Sequence, residues 1–197
     1  MCHHDKPRFK SCRPHRRRRQ MNARWSWIDT PLGRMSAIVD STGALVRLDF
    51  EDDSYREDAN RLISGDASPE AVTHVALQLT EYFDGRRRRF DLELAPQGSP
   101  FLQRAWRSLR ETYYGSVLSY GELARRMEPP TSARAIGRAN ALNPLSIIVP
   151  CHRVLAVNGQ MTGYSGGLRR KRALLALEHA HRTELKVQSA HTNNDAD

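Results

Sequence analysis

A five-residue run, Pro96-Gln97-Gly98-Ser99-Pro100, cuts this chain into two halves of different pattern. Two prolines and a glycine so close together can continue neither a helix nor a central strand. The apolar residues on each side must therefore form their own elements. Upstream they read as strands at Trp25 to Ile28, Met35 to Val39 and Ala44 to Phe50, with turns at Pro31-Leu32-Gly33 and Asp40-Ser41-Thr42-Gly43. An acidic loop runs from Glu51 to Asp58. Ala71, Val72, Val75, Ala76, Leu79 and Phe83 then recur at helical spacing after Pro69. Phe90, Leu92 and Leu94 alternate as a last strand. This predicts a small α/β or α+β domain over residues 21–97 that carries no catalytic cluster. Arg86 to Arg89 reads as a solvated or phosphate-touching loop.

Downstream the pattern turns helical. Ser99 with Pro100 at the first helical position predicts a helix start, and Phe101, Leu102, Ala105, Trp106 and Leu109 mark its apolar face. Ser119-Tyr120-Gly121-Glu122 has the form of a capping box. Thr131 or Ser132 caps a further helix from Ala133 to Leu142, which Asn143-Pro144 ends. Helix, short turn and helix outline a helix-turn-helix. The second helix is built from Ala133, Ala135, Gly137, Ala139 and Ala141, with Arg134, Arg138 and Asn140 between them. Such small residues suit close backbone approach to DNA with little base readout, or helix–helix packing, or both on different faces. Leu155 to Val157 with Asn158-Gly159 suggests a wing-like hairpin. Gly163-Tyr164-Ser165-Gly166-Gly167 is a glycine-rich loop without the lysine of a phosphate loop. A last helix runs from Arg170 to His179, and residues 184–197 read as a disordered tail.

Charge follows the same division. Residues 21–97 hold nine basic and fourteen acidic residues, whereas residues 98–183 hold thirteen basic and four acidic ones. Residues 1–20 add eight Lys/Arg against one acid and read as a disordered leader. A polyanion such as DNA is the natural partner of the C-terminal half. Three cysteines, Cys2, Cys12 and Cys151, are too few for a disulfide scaffold. Cys2, Cys12 and the leader histidines fit no standard zinc spacing, so no metal is expected. The chain has neither a membrane-length apolar run nor the apolar core of a secretory signal, which points to a cytoplasmic protein, nucleoid-associated if bacterial.

Cys151 lies in Pro150-Cys151-His152-Arg153-Val154, behind the aliphatic run Ile147 to Val149. That run reads as a short buried strand or extended segment. Neighbouring His and Arg favour a thiolate, the reactive form of cysteine. A buried structural cysteine beside a solvated basic pair is the competing reading.

Together these pieces resemble the O6-alkylguanine-DNA alkyltransferases, the methylated-DNA–protein-cysteine methyltransferases. The resemblance rests on Ser119-Tyr120-Gly121-Glu122-Leu123-Ala124, Ala133-Arg134-Ala135-Ile136-Gly137, Asn143-Pro144, Pro150 to Val154, Gly163 to Leu168, and Leu174-Leu175 with Glu178. It implies a ribonuclease-H-like α/β domain followed by a winged-helix-like domain. It implies a flipped O6-alkylguanine in double-stranded DNA, with Cys151 taking the alkyl group once and no cofactor. His152 would accept the thiol proton through a water and Glu178 would orient the imidazole. Tyr120 would assist the departing guanine, and Asn143 would hold the segment before the cysteine. Arg134 would fill the vacated stack, with Ala133, Ala135 and Gly137 against DNA. Tyr164, Ser165 and Val154 would line the guanine pocket. A monomer is the default expectation. A non-transferring, lesion-binding relative is the alternative, but such relatives lack the cysteine that this chain has at position 151.

Overall fold

The computed structural model describes residues 23–51 and 66–192, with side chains placed through residue 182. The basic leader, most of the acidic loop and residues 193–197 lie outside the described residues. Strands β1 (Arg24–Ile28), β2 (Met35–Val39) and β3 (Leu45–Phe50) form an antiparallel meander. The short β4 (Asp66–Ala67) pairs parallel to β1, giving the order β3-β2-β1-β4. All five residues of β2 are buried, as befits an inner strand. The turn before β3 is held locally: the Asp40 carboxylate accepts from the backbone N–H of Thr42 at 2.9 Å and of Ala44 at 3.1 Å. After a 3₁₀ turn at Pro69–Val72, helix α1 (Thr73–Phe83) buries Val75, Leu79 and Tyr82.

The alternation of Phe90, Leu92 and Leu94 does not make a strand. Only Leu94 bridges to β3, opposite Leu45, with Leu45 N–H donating to Glu93 O at 2.8 Å and Ala95 N–H to Leu45 O at 2.9 Å. Pro96 follows and has no N–H to extend the ladder.

In the second half, α2 (Pro100–Arg110) starts where expected, with the Ser99 hydroxyl accepting from Leu102 N–H. A two-residue strand, β5 (Leu118–Ser119), leads into α3 (Tyr120–Arg126). The capping box is complete. The Ser119 hydroxyl accepts from Glu122 N–H at 3.2 Å, and the Glu122 carboxylate accepts from Ser119 N–H at 2.7 Å. Ser132, rather than Thr131, caps α4 (Ala133–Ala141). Trp106 Nε1 donates to Ala139 O at 2.9 Å and so fastens α4 to α2.

Strand β6 (Val154–Leu155) pairs with β5 in parallel. The expected hairpin is therefore corrected. Ala156 to Gln160 does form a tight turn, closed by Ala156 N–H to Gln160 O at 3.1 Å, but the strand partner of β6 lies ahead of α3. Helix α5 (Gly167–Thr192) also runs on beyond the predicted stop at His179, into the stretch expected to be a disordered tail. No Gly or Pro interrupts the sequence between Leu168 and Thr192, so the backbone has no helix breaker there.

The halves share one core, which runs from Ile28 and Leu48 through Trp106 and Ile136 to Leu174. Leu48 N–H donates to Pro144 O at 2.8 Å and Ser146 N–H donates to Leu48 O at 2.9 Å. The sheet thereby grips the segment that leads to Cys151. Replacing the cap in Ser119→Ala should lower unfolding stability by about 1 kcal/mol, read as a reduced urea midpoint at unchanged slope.

Candidate active site

The segment before the cysteine is buried but not extended. Val149 N–H donates to Leu145 O, Ile148 N–H to Ser146 O and Cys151 N–H to Val149 O, each within 2.9 Å. These bonds wind residues 145–151 into successive tight turns, which corrects the predicted strand. Ile147 pays a conformational penalty here: its φ is 72°, a region that β-branched residues avoid. Such strain costs about 1–3 kcal/mol and persists only where surroundings enforce it. Asn143 is part of that enforcement. Its side-chain N–H₂ donates to Val149 O at 2.9 Å and to Cys151 Sγ at 3.1 Å, while its carbonyl oxygen accepts from Leu145 N–H at 3.0 Å.

Cys151 opens a 3₁₀ turn, Cys151–Arg153, and is 3% exposed. Burial pushes its thiol up to about 11, against the opposing pull of the Asn143 hydrogen bond and the Lys171 charge. The thiol waits protonated.

His152 and Glu178 are both fully buried. His152 Nε2 lies 3.0 Å from Glu178 Oε1. The carboxylate can only accept, so Nε2 carries the proton and Nδ1 keeps a lone pair. Nδ1 is buried with no hydrogen-bond partner among the described residues. Burial lowers the His152 pKa, so the imidazole rests neutral.

Glu178 collects donors from across the molecule. Tyr82 O–H donates to it at 2.8 Å, Gly115 N–H at 3.0 Å, Arg153 Nη2 at 2.8 Å and Arg153 Nε at 2.9 Å. Burial alone would raise the carboxyl, but the hydrogen bonds and charges of His152 and Arg153 outweigh it and hold the pKa well below the carboxylate range. Gly115 sits at φ +68°, and a Cβ there would lie 2.9 Å from the Glu178 backbone carbonyl. Only glycine allows this approach.

A cavity of about 480 Å³ opens on the cysteine. Of the predicted site residues, Tyr120, Ala133, Gly137, Cys151, Tyr164 and Ser165 line it. The Tyr120 hydroxyl accepts from Thr162 Oγ1 at 3.3 Å. Arg134 is exposed and, like Ala135, lies on α4 outside the cavity lining. Val154 does not line the cavity: its side chain is fully buried, and its carbonyl accepts from Lys171 Nζ at 2.7 Å.

Three participants escaped the sequence reading. Asn140 lines the cavity, is 7% exposed, and has both amide atoms without a protein partner. Lys171 is fully buried, donating to Val154 O and Thr162 O, and burial lowers its pKa. The signal was available, since Lys171, Leu174 and Glu178 share one helical face. Tyr82 comes from the other domain, and no local pattern links it to Glu178.

The arrangement is that of a cysteine-nucleophile site on a helical DNA-binding-type domain, backed by a small sheet domain. The description "6-O-methylguanine DNA methyltransferase, ribonuclease-like domain" matches residues 23–96, and "6-O-methylguanine DNA methyltransferase, DNA binding domain" matches residues 100–180. The chain belongs to the 6-O-methylguanine DNA methyltransferase family. It is 41% identical over 154 residues to a methylated-DNA–protein-cysteine methyltransferase of Mycolicibacterium paratuberculosis, covering 78% of this chain and 91% of that protein. A Salmonella typhimurium protein of the same name is 39% identical, covering 77% and 92%. The crystal structure of Mycobacterium tuberculosis OGT in complex with DNA superposes with a TM-score of 0.73 at 39% identity, covering 80% of this chain and 94% of that one. The expected order, a ribonuclease-like domain followed by a DNA-binding domain, is therefore borne out.

The depressed Glu178 pKa gives a pH prediction. A carboxylate whose pKa is lower folded than unfolded stabilises the fold above its ordinary value, 4.5. That stability is lost as pH falls below 4.5 towards the native value, because the unfolded chain binds the proton first. Urea midpoints of the wild type should fall steeply over this acid range, and those of Glu178→Gln should fall less. Parallel acid limbs would show that Glu178 does not carry the effect.

Proposed function

We propose that this protein repairs DNA by direct reversal, moving the alkyl group of O6-alkylguanine in double-stranded DNA onto Cys151. The observation that carries the reading is the convergence of Cys151, Tyr120 and the Tyr164-Ser165 loop on one cavity, with a neutral histidine held by a buried carboxylate behind it. In the reaction the Cys151 Sγ–carbon bond forms as the carbon–O6 bond breaks. The thiol proton goes to His152 Nδ1 through a water, and the departing guanine takes up a proton with help from the Tyr120 hydroxyl. The resulting thioether does not reverse, so each molecule acts once and needs no cofactor.

The high thiol pKa fits this role. A resting thiolate would react with any passing electrophile, whereas a buried thiol becomes nucleophilic only when substrate fills the cavity and the proton has somewhere to go. Lys171 offers the nearby positive charge that favours the thiolate as it forms. Asn140 and the Ser165 hydroxyl, both without hydrogen-bond partners among the described residues, would hydrogen-bond the edge of a purine. Arg134, exposed on α4, would occupy the gap that a flipped nucleotide leaves, and Ala133, Ala135 and Gly137 would let the helix approach DNA closely. The protein acts as a monomer. The non-transferring alternative is disfavoured by the cysteine at the cavity floor.

Intact-mass measurement after mixing with duplex bearing O6-methylguanine should show a gain of one methyl in the wild type and none in Cys151→Ala. Binding without mass gain in the wild type would instead support the lesion-binding alternative. A second comparison separates base recognition from DNA engagement. Asn140→Leu should slow reaction with both the free modified base and the duplex, by about tenfold, whereas Arg134→Ala should slow the duplex reaction alone. Equal losses of Arg134→Ala on both substrates would remove its stacking role, and an unchanged Asn140→Leu would remove the amide from base recognition.

A further inference from the structure

A second cavity, of about 750 Å³, lies between the two domains. It shares no lining residue with the first, yet both reach the catalytic turn: Cys151 faces one, Pro150 and Arg153 face the other. Four further arginines line it, Arg88 and Arg89 from the loop after α1 and Arg107 and Arg110 from the last turns of α2. Glu111 is the only acid in the lining. Arg153 is already neutralised by Glu178. Arg88 donates to His181 O at 3.3 Å and lies over the Tyr114 ring. Among the described residues, no carboxylate pairs with Arg89, Arg107 or Arg110, whereas the neighbouring Arg86 and Arg87 are paired with Asp84 and Glu81. The arginine run thus divides into Arg86 and Arg87, ion-paired at the helix end, and Arg88 and Arg89, which line the cavity without a carboxylate partner among the described residues.

Like-charged guanidinium groups gathered in a concave space repel one another and raise the local potential, which favours an anionic occupant. An independent observation points the same way. Thr112 lines this cavity, is 5% exposed, and its hydroxyl has no hydrogen-bond partner among the described residues. A buried hydroxyl left unpaired costs free energy that a bound acceptor would recover. Several guanidinium forks beside a hydroxyl donor match the oxygens of a phosphate group.

We propose that this interdomain cavity binds a phosphate-bearing ligand, held by Arg89, Arg107 and Arg110 and by the Thr112 hydroxyl, on the side of the Cys151 turn away from the substrate cavity. Two sources share this chemistry, a free phosphorylated small molecule and the backbone of a DNA duplex. The site requires no alkyl transfer, so it stands or falls separately from the reading of Cys151.

The test uses the full chain, with the wild type, Thr112→Val and the pair Arg107→Ala/Arg110→Ala, all checked for folding by thermal melting. Inorganic pyrophosphate is titrated by calorimetry, and an undamaged duplex by fluorescence anisotropy at several salt concentrations. Saturable pyrophosphate binding that weakens about tenfold in each variant supports the site with a free phosphorylated ligand. No saturable pyrophosphate binding, but duplex affinity weakened in Thr112→Val and a salt slope shallower by about two in the arginine pair, supports the site with DNA backbone as its source. Arginine effects with Thr112→Val unchanged on both probes would mean diffuse surface charge and overturn the proposal. So would the absence of any effect on either probe.

Discussion

The structure depends on one buried carboxylate. A lone ionised acid in a protein interior costs several kcal/mol unless its oxygens are fully engaged. Glu178 meets that demand with donors from α1, from the turn before β5, and from both residues that follow the cysteine. The C-terminal half of the chain is strongly basic, and its other described acids, Glu111, Glu122 and Glu128, are on the surface, Glu122 as a helix cap. Among the described residues of that half, Glu178 is therefore the sole internal counter-charge, and it is where domain docking and histidine orientation become the same interaction. Removing any one donor leaves the remaining network carrying an under-satisfied charge, so the contributions of Tyr82, His152 and Arg153 will not add independently.

The same network settles what the thiol can be at rest. Arg153 spends its charge on Glu178 and Thr112 O, although it stands two residues from the cysteine. His152 spends one nitrogen on Glu178 and keeps the other open. Among the described residues, it is Lys171, held by the carbonyls of Val154 and Thr162, that contributes an attractive charge at the sulfur. Burial wins over that single charge, and the cysteine stays protonated. Adjacency in Cys151-His152-Arg153 suggested two cations pressing on a thiol. Folding instead turns both of those residues towards Glu178 and brings the useful cation from α5.

This explains which features were legible beforehand. Caps and strands were, because Ser99, Ser119 and Asp40 act on backbone groups within a few residues and need no tertiary information. The Ile147 to Val149 run was misread because a buried strand and a buried turn share the same apolar composition. The choice between them is made by Asn143 and by the Leu48 bridge from the other domain. Lys171 lies between Arg170 and Arg172 and looks like part of a solvated basic run, although its helical phase with Leu174 and Glu178 marks it as internal. Tyr82 could not be found at all, since its partner is distant in sequence and its own helix gives it an ordinary core position.

Helix α4 reconciles two readings that its sequence left open. Its short side chains had suggested either close approach to DNA or packing against other helices. Ile136 and Ala139 are fully buried, and Ala139 O takes the Trp106 indole, so one face is packing. Ala133, Gly137 and Asn140 follow at spacings of four and three, and these line the substrate cavity. Arg134 and Arg138 occupy the exposed remainder. A Cβ at Gly137 would lie 4.0 Å from the Tyr120 ring, an ordinary contact, and a longer side chain would reach into the cavity that both residues line. Small residues at Ala133 and Gly137 thus border the cavity, while the small residue at Ala139 fits the core. The 3.6-residue period lets a nine-residue helix meet both and still present arginine outward.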